Sequence, residues 1–166
     1  MKNLEKLLLK VLSTDALINK VNQWKDQDKK IVFTNGCFDV LHRGHIELLS
    51  KTADLGDCLI VAVNSDKSIR KLKGSNRPII DEVSRSIMIS SLSFVDAVVL
   101  FDEETPINLI SLVTPHILSK GGDYRMNEII GHEIVIANGG EVAIIPLVDG
   151  VSTTNIISKI SKYNNG

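Results

Sequence analysis

Short, continuously apolar runs alternate along this chain with longer stretches in which apolar residues recur every three or four positions. The apolar runs cover Lys30–Thr34, Cys58–Asn64, Ala97–Phe101, His116–Ser119 and Glu141–Pro146. Leu59-Ile60-Val61-Ala62-Val63 contains no polar residue, the pattern of a strand covered on both faces of a parallel sheet. Helices are predicted between the runs, over Ile46–Ala53, Glu82–Leu92, Pro106–Val113, Met126–Ala137 and Thr153–Lys162. A further helix is predicted over Ala16–Trp24, where Leu17, Val21 and Trp24 share a face and Ser13-Thr14-Asp15 supplies an N-cap. This alternation predicts an α/β fold, a doubly wound parallel sheet of five strands flanked by helices. Right-handed crossovers put helices on both faces. Ligands in such sheets bind at the C-terminal strand ends, where the strand order reverses.

The most polar segment, Lys67–Asp81, is rich in turn residues and reads as a mobile loop over a site. At the N-terminus, Leu4, Leu7, Leu8 and Val11 fall on one helical face. Residues 1–25 are therefore expected as an N-terminal helical extension, with core packing or a dimer contact as its use. Its apolar run Leu7-Leu8-Leu9 is interrupted by Lys10 and does not read as a signal peptide.

The chain has 166 residues, 43% of them hydrophobic and 23% charged, with a net charge of -1. That is one domain, 1–166, with a core burying roughly 70% of its unfolded surface. A near-neutral balance gives no reason to expect a nucleic-acid or membrane partner, and no apolar run is long enough to span a bilayer. The two cysteines, Cys37 and Cys58, make neither a disulfide framework nor a zinc site, so a cytoplasmic location is the expectation.

Candidate chemistry concentrates in Thr34-Asn35-Gly36-Cys37-Phe38-Asp39-Val40-Leu41-His42-Arg43-Gly44-His45, between a strand and a helix. A helix start has unpaired N–H groups and a positive dipole end, and so attracts anions. Residues three apart share a helix face, so His42 and His45 can address one phosphate. Gly44 lets a bound group approach the backbone. Zinc is the weaker reading, because only Asp39 offers a nearby further ligand. Asp39 has two readings, orienting a histidine or a metal-bridged phosphate, or capping the helix. Cys37 reads as a small buried residue rather than a nucleophile. Lys71, Lys73 and Arg77 form a basic cluster suited to charge neutralisation. Lys120-Gly121-Gly122-Asp123-Tyr124-Arg125 follows a strand, and Gly150-Val151-Ser152-Thr153-Thr154 precedes a helix. Both are candidate ligand contacts. Neither a P-loop nor a Gly-x-Gly-x-x-Gly fingerprint is present.

Asn35-Gly36-Cys37-Phe38-Asp39 with His42-Arg43-Gly44-His45 resembles the signature of cytidylyltransferase-like nucleotidyltransferases. Leu72-Lys73-Gly74, Arg77-Pro78, Lys120–Tyr124, Asn138–Val142 and Ser152–Asn155 bring the likeness to the D-glycero-β-D-manno-heptose 1-phosphate adenylyltransferases. It covers about residues 13 to 162. The resemblance implies a Rossmann-like sheet and transfer of AMP from ATP to a sugar 1-phosphate, giving ADP-heptose and pyrophosphate. It implies His42, His45 and Lys73 as catalytic residues. It implies nucleotide binding by Thr34, Asn35, Gly36, Cys37, Phe38, Gly44, Asn64, Lys120, Gly122, Asp123, Ser152 and Thr153. Asp39 and Arg77 fall to the sugar phosphate. ATP enters as substrate with Mg2+ to offset its charge, no metal site is built by the protein, and a homodimer is the expected assembly. Many family members carry a sugar kinase ahead of this domain, for which these 166 residues leave no room.

Two alternatives compete. A glycerol- or alcohol-phosphate cytidylyltransferase would use CTP; such enzymes typically carry an arginine shortly before Ser-Thr-Thr, where this chain has Leu147-Val148-Asp149-Gly150-Val151. A catalytically silent nucleotide-binding module is disfavoured by the intact histidine pair.

Overall fold

The computed structural model describes residues 2–122, 124–148 and 150–163. Six parallel strands form one sheet: β1 (Val11–Leu12), β2 (Ile31–Gly36), β3 (Cys58–Asn64), β4 (Ala97–Phe101), β5 (Ile117–Gly121) and β6 (Glu141–Ile145). Their order is β1-β4-β3-β2-β5-β6. The helices are α1 (Asn3–Leu8), α2 (Thr14–Lys25), α3 (Arg43–Ala53), α4 (Asp66–Lys73), α5 (Glu82–Ser90), α6 (Ile107–Val113), α7 (His132–Ala137) and α8 (Thr153–Tyr163). Among the described residues no helix is long and apolar enough to cross a membrane.

The alternating side chains of the central strands feed two cores, one on each face. Ile31 and Phe33 of β2 with Cys58, Ile60 and Ala62 of β3 meet Leu17, Val21 and Trp24 of α2 and Leu109, Ile110 and Val113 of α6. Val32, Leu59, Val61 and Val63 point the other way, onto Leu49 of α3 and Ile89 of α5. Every residue of β3 is buried, which explains its unbroken apolar run. Ser13 caps α2, its hydroxyl accepting from the Ala16 N–H.

Four expectations change. The sheet has six strands, not five, because Val11 and Leu12 pair with Val98 and Val99. Two residues show no alternation, and the strand exists only because the β4 edge receives it. The described part of the expected helical extension, residues 2–25, is accordingly helix, strand and helix. The Lys67–Asp81 loop begins as a helix, α4, capped by the Ser65 hydroxyl on the Ser68 N–H; only Ser68 and Ile69 of it are buried, too few to give a period. The helix expected over Met126–Ala137 is split into a 3-10 turn at Met126–Glu128 and α7, with Gly131 at φ 89° between them. That angle is natural only to glycine and interrupts the helix.

The strand order turns at β2. The chain winds from β2 through β3 to β4 on one side, then crosses to β5 and β6 on the other. The crevice between the C-terminal ends of β2 and β5 is therefore the position the topology reserves for ligand.

Candidate active site

His42 is the N-cap of α3. Its Nδ1 accepts from the His45 backbone N–H at 3.4 Å, so a neutral ring carries its proton on Nε2. The two imidazoles stack, centroids 3.8 Å apart and planes 16° from parallel. Phe38 closes the far side of the pair, its ring edge-on to His45 at 5.3 Å and 70°. Phe38 sits at φ 47°, a left-handed backbone costing about 1 kcal/mol for a residue with a side chain. The two nearby glycines make the packing possible. A Cβ on Gly36 would lie 3.0 Å from the Phe38 ring, and one on Gly44 would lie 3.1 Å from the His42 ring. What approaches Gly44 so closely is thus an imidazole.

Burial pushes the His45 ring down to about 4, with His42 and Lys73 adding positive repulsion. Burial also lowers His42. Both rings are therefore neutral at pH 7 in the unliganded protein, each with one N–H to offer. His45 Nδ1 is the one buried side-chain polar atom without a hydrogen-bond partner among the described residues. Orphaned buried polar atoms of this kind mark functional positions.

The pair opens on a cleft of about 250 Å³ lined by His42, Gly44, His45, Lys73, Ser152 and Thr153, with Leu48, Leu147, Val148, Val151 and Thr154. The N-termini of two helices of 11 residues, α3 and α8, converge there. The Ser152 hydroxyl accepts from the Asn155 N–H, leaving the preceding turn to face the cleft. Lys73 reaches it from the last turn of α4. Two positive dipole ends and a lysine favour an anion there, and among the described residues no carboxylate lines the cleft.

A second cleft, about 220 Å³, lies over the β2–β5 crevice and is lined by Asn35, Glu104, Thr105, Pro106, Lys120, Tyr124, Glu128, Ile129 and Ile130. Lys120 Nζ donates to Asn35 Oδ1 at 3.2 Å across the crevice. Burial lowers its ammonium, and no carboxylate pairs with it among the described residues. The end of β5 borders both clefts. Lys120 enters this one, while a Cβ on Gly121 would lie 2.9 Å from Leu48 and 3.0 Å from Leu147 of the other.

The remaining site candidates are placed as follows. Thr34 and Phe38 are buried. Gly36 ends β2, and Cys37, expected to be buried, follows it only partly covered. Asn64 is buried and hydrogen-bonds Cys37 Sγ and Ser68 Oγ, away from both clefts. The Gly122 N–H donates to the Ile145 carbonyl. Asp123 lies outside the described residues. Asp39 meets neither a histidine nor the start of α3. Its carboxylate accepts from Arg77 Nε and from the N–H groups of Ile79 and Ile80 at 2.7 and 3.0 Å. Asp39 and Arg77, both expected at the sugar phosphate, are thus bonded to one another, and Asp39 is 2% exposed. Leu48, Leu147 and Val148, and the second cleft's Glu104 and Glu128, had no sequence signal, since they come from four separate segments.

The profile of the cytidylyltransferase-like family matches residues 33–159, a span that runs from the start of the histidine turn through most of α8. The chain belongs to the cytidylyltransferase-like family. It is 49% identical over 150 residues to the bifunctional protein HldE of Koribacter versatilis and 48% identical over 153 residues to that of Geobacter sulfurreducens. These matches cover 90% and 92% of this chain but 31% of each relative, so the chain spans about a third of their length. A lipopolysaccharide core biosynthesis protein from Thermoplasma volcanium superposes with a TM-score of 0.59 at 33% identity, covering 72% of this chain and 97% of that one. Pantoate-beta-alanine ligase from Francisella tularensis superposes with a TM-score of 0.60 at 14% identity, covering 93% of this chain and 77% of that one, a likeness of fold alone. This cytidylyltransferase-like chain is a nucleotidyltransferase.

Proposed function

We propose that this domain transfers AMP from ATP to a sugar 1-phosphate, D-glycero-β-D-manno-heptose 1-phosphate by preference, releasing pyrophosphate. The observation that carries the reading is the neutral, stacked His42–His45 pair at the start of α3, facing Lys73 and the start of α8 across one cleft. A sugar-phosphate acceptor is supported by the likeness to HldE and to a lipopolysaccharide core biosynthesis protein.

The chemistry needs no enzyme nucleophile. A phosphate oxygen of the sugar 1-phosphate attacks the α-phosphorus of ATP. The bond to the bridging oxygen breaks, and pyrophosphate leaves with that electron pair. Charge grows on the α-phosphoryl oxygens and the leaving oxygen, so alignment and preorganised donors supply the catalysis. His42 and His45 serve as N–H donors to those oxygens. Lys73 and the first N–H groups of α8, with Ser152 and Thr153, hold the β- and γ-phosphates. Leu147, Val148 and Val151 give the same cleft an apolar wall for the nucleoside. The acceptor enters the second cleft, where Lys120 takes its phosphate and the polar groups of Asn35, Glu104 and Thr105 face its hydroxyls. For the attack to take place both phosphates must meet at the C-terminal end of β5, where Lys120 borders one cleft and Gly121 the other.

Magnesium would travel with the triphosphate. Among the described residues the phosphate cleft offers no carboxylate, Asp39 has its oxygens occupied, and no metal-binding cluster occurs. The metal would then be held chiefly by phosphate oxygens and water, as is common for this ion.

Pyrophosphate release from ATP or CTP, with heptose 1-phosphate or glycerol 3-phosphate as acceptor, tests the reading. ATP with heptose 1-phosphate should be the fastest pair; turnover confined to CTP would overturn it. Lys120→Met should raise the KM for the acceptor while leaving that for ATP little changed.

A further inference from the structure

The largest fully buried side chain in the molecule is a charged one, Arg85 of α5, at 0% exposure. A guanidinium so deep survives only where each donor direction is matched, and here three segments match it. Its Nε donates to the Ile80 carbonyl at 2.9 Å, its Nη1 to the Cys37 carbonyl at 2.6 Å and its Nη2 to Asp66 Oδ1 at 2.8 Å. Each segment carries a residue of the phosphate cleft or its surroundings. Cys37 precedes Phe38, whose ring backs His45. Asp66 begins α4, whose last residue is Lys73. Ile80 ends the stretch in which Asp39 holds Arg77.

We propose that Arg85 is a positioning residue of the transfer reaction, a buried three-way clamp that sets Phe38 against His45 and holds α4 in register with the cleft. The link to His45 is geometric. A carbonyl fixed by Nη1 fixes the plane of the Cys37–Phe38 peptide, and the φ of Phe38 is the rotation of its Cα against that plane. With that plane held, the left-handed φ of 47° and the packing of the ring on His45 set where the ring lies. Asp39 completes the clamp in the opposite sense. It accepts from the N–H of Ile80 while Arg85 takes that residue's carbonyl, so one peptide segment is held from both sides by buried groups of opposite charge. The planar fork of arginine suits three divergent acceptors, and a lysine ammonium does not reproduce it.

The proposal rests on the adenylyl-transfer reading only for its kinetic arm. The test uses the full chain with Arg85→Ala and Arg85→Lys and three readouts. They are thermal unfolding, the titration of the His45 ring followed by NMR, and kcat and KM for ATP. In the folded variants the His45 midpoint should leave its value of about 4 and move towards 6.5, as the ring loses its Phe38 backing. The kcat should fall on the order of 100-fold, with KM for ATP changed far less, because the phosphate donors remain. Guanidinium ion at low concentration should restore part of the Arg85→Ala turnover without raising its unfolding temperature. A folded variant with an unchanged His45 midpoint, or one whose lost activity matches its unfolded fraction, overturns the proposal. If Arg85→Ala does not fold, Arg85→Lys decides by the same criteria. If the unaltered chain fails to use ATP with a sugar phosphate, the functional reading falls, and the His45 titration still decides the role of Arg85.

Discussion

His42 and His45 lie ring on ring, 3.8 Å between centroids and 16° from parallel, with the Nδ1 of one capping the backbone N–H of the other. One side chain thus has two jobs, starting α3 and facing the cleft, while the other has only the cleft. Their substitutions should separate accordingly. His45→Asn is expected to lower kcat by roughly 10²–10³-fold, the usual loss for one preorganised donor, with little change in unfolding temperature. His42→Ala should lose activity and also about 1 kcal/mol of stability through the missing cap, whereas His42→Asn should keep the cap and lose only activity. Steady-state pyrophosphate release and urea denaturation on the same preparations check both statements.

The depressed His45 titration has a sign that can be worked out. Its folded-state value is about 4 against 6.5 for the free side chain, so the unfolded chain takes up the proton first as pH falls. Its contribution to stability is complete above pH 6.5 and is lost as pH drops from there through the folded value. Replacing His45 with Asn should therefore flatten the fall in unfolding temperature across that window. Triphosphate brings negative charge to the ring and must raise its titration point. ATP binding at mildly acidic pH should then take up protons, seen as a buffer-dependent enthalpy in calorimetry; binding without proton uptake would contradict this.

Asp39 and Arg77 form a pair whose side chains are 1% and 17% exposed. Removing one partner of a buried pair typically costs about 3–5 kcal/mol. Asp39→Ala should sit in that range, since it also strands the N–H groups of Ile79 and Ile80. Arg77→Ala should cost less, because its guanidinium lies nearer to water. Denaturation of both single variants and the double one should show the two changes to be strongly non-additive.

Gly44→Ala introduces a methyl 3.1 Å from the His42 ring, a distance that forces the ring to give way. Turnover should fall while the fold persists, and overpacking of this kind costs about 1–3 kcal/mol. A crystal structure of the variant should show His42 displaced from the stack. An unmoved ring with full activity would mean that the stack is not needed.

Much of the architecture was legible before any coordinates. Cys58–Asn64 and Ala97–Phe101 are strands with the bounds their apolar runs predicted, because a strand buried on both faces cannot accept a polar residue. The α3 start was readable because capping is a local property of a few adjacent residues. The same holds for Ser152 before α8. What failed did so where local pattern is weak. Val11–Leu12 is too short to alternate and is a strand only through its β4 partner. Asp66–Lys73 buries too little to show a period.

The sequence by itself determined the fold class, the strand-turn-helix that presents His42 and His45, and the family, since each depends on residues close together in the chain. Tertiary structure decided how those residues are used. It set Asp39 on Arg77 instead of on a histidine, put Lys120 and Gly121 of one strand against two different clefts, and sank Arg85 beneath three segments at once. These relationships join positions as far apart as 85 residues in the chain. No local period or cap encodes them; only the closing of the sheet brings their partners within a hydrogen bond's reach.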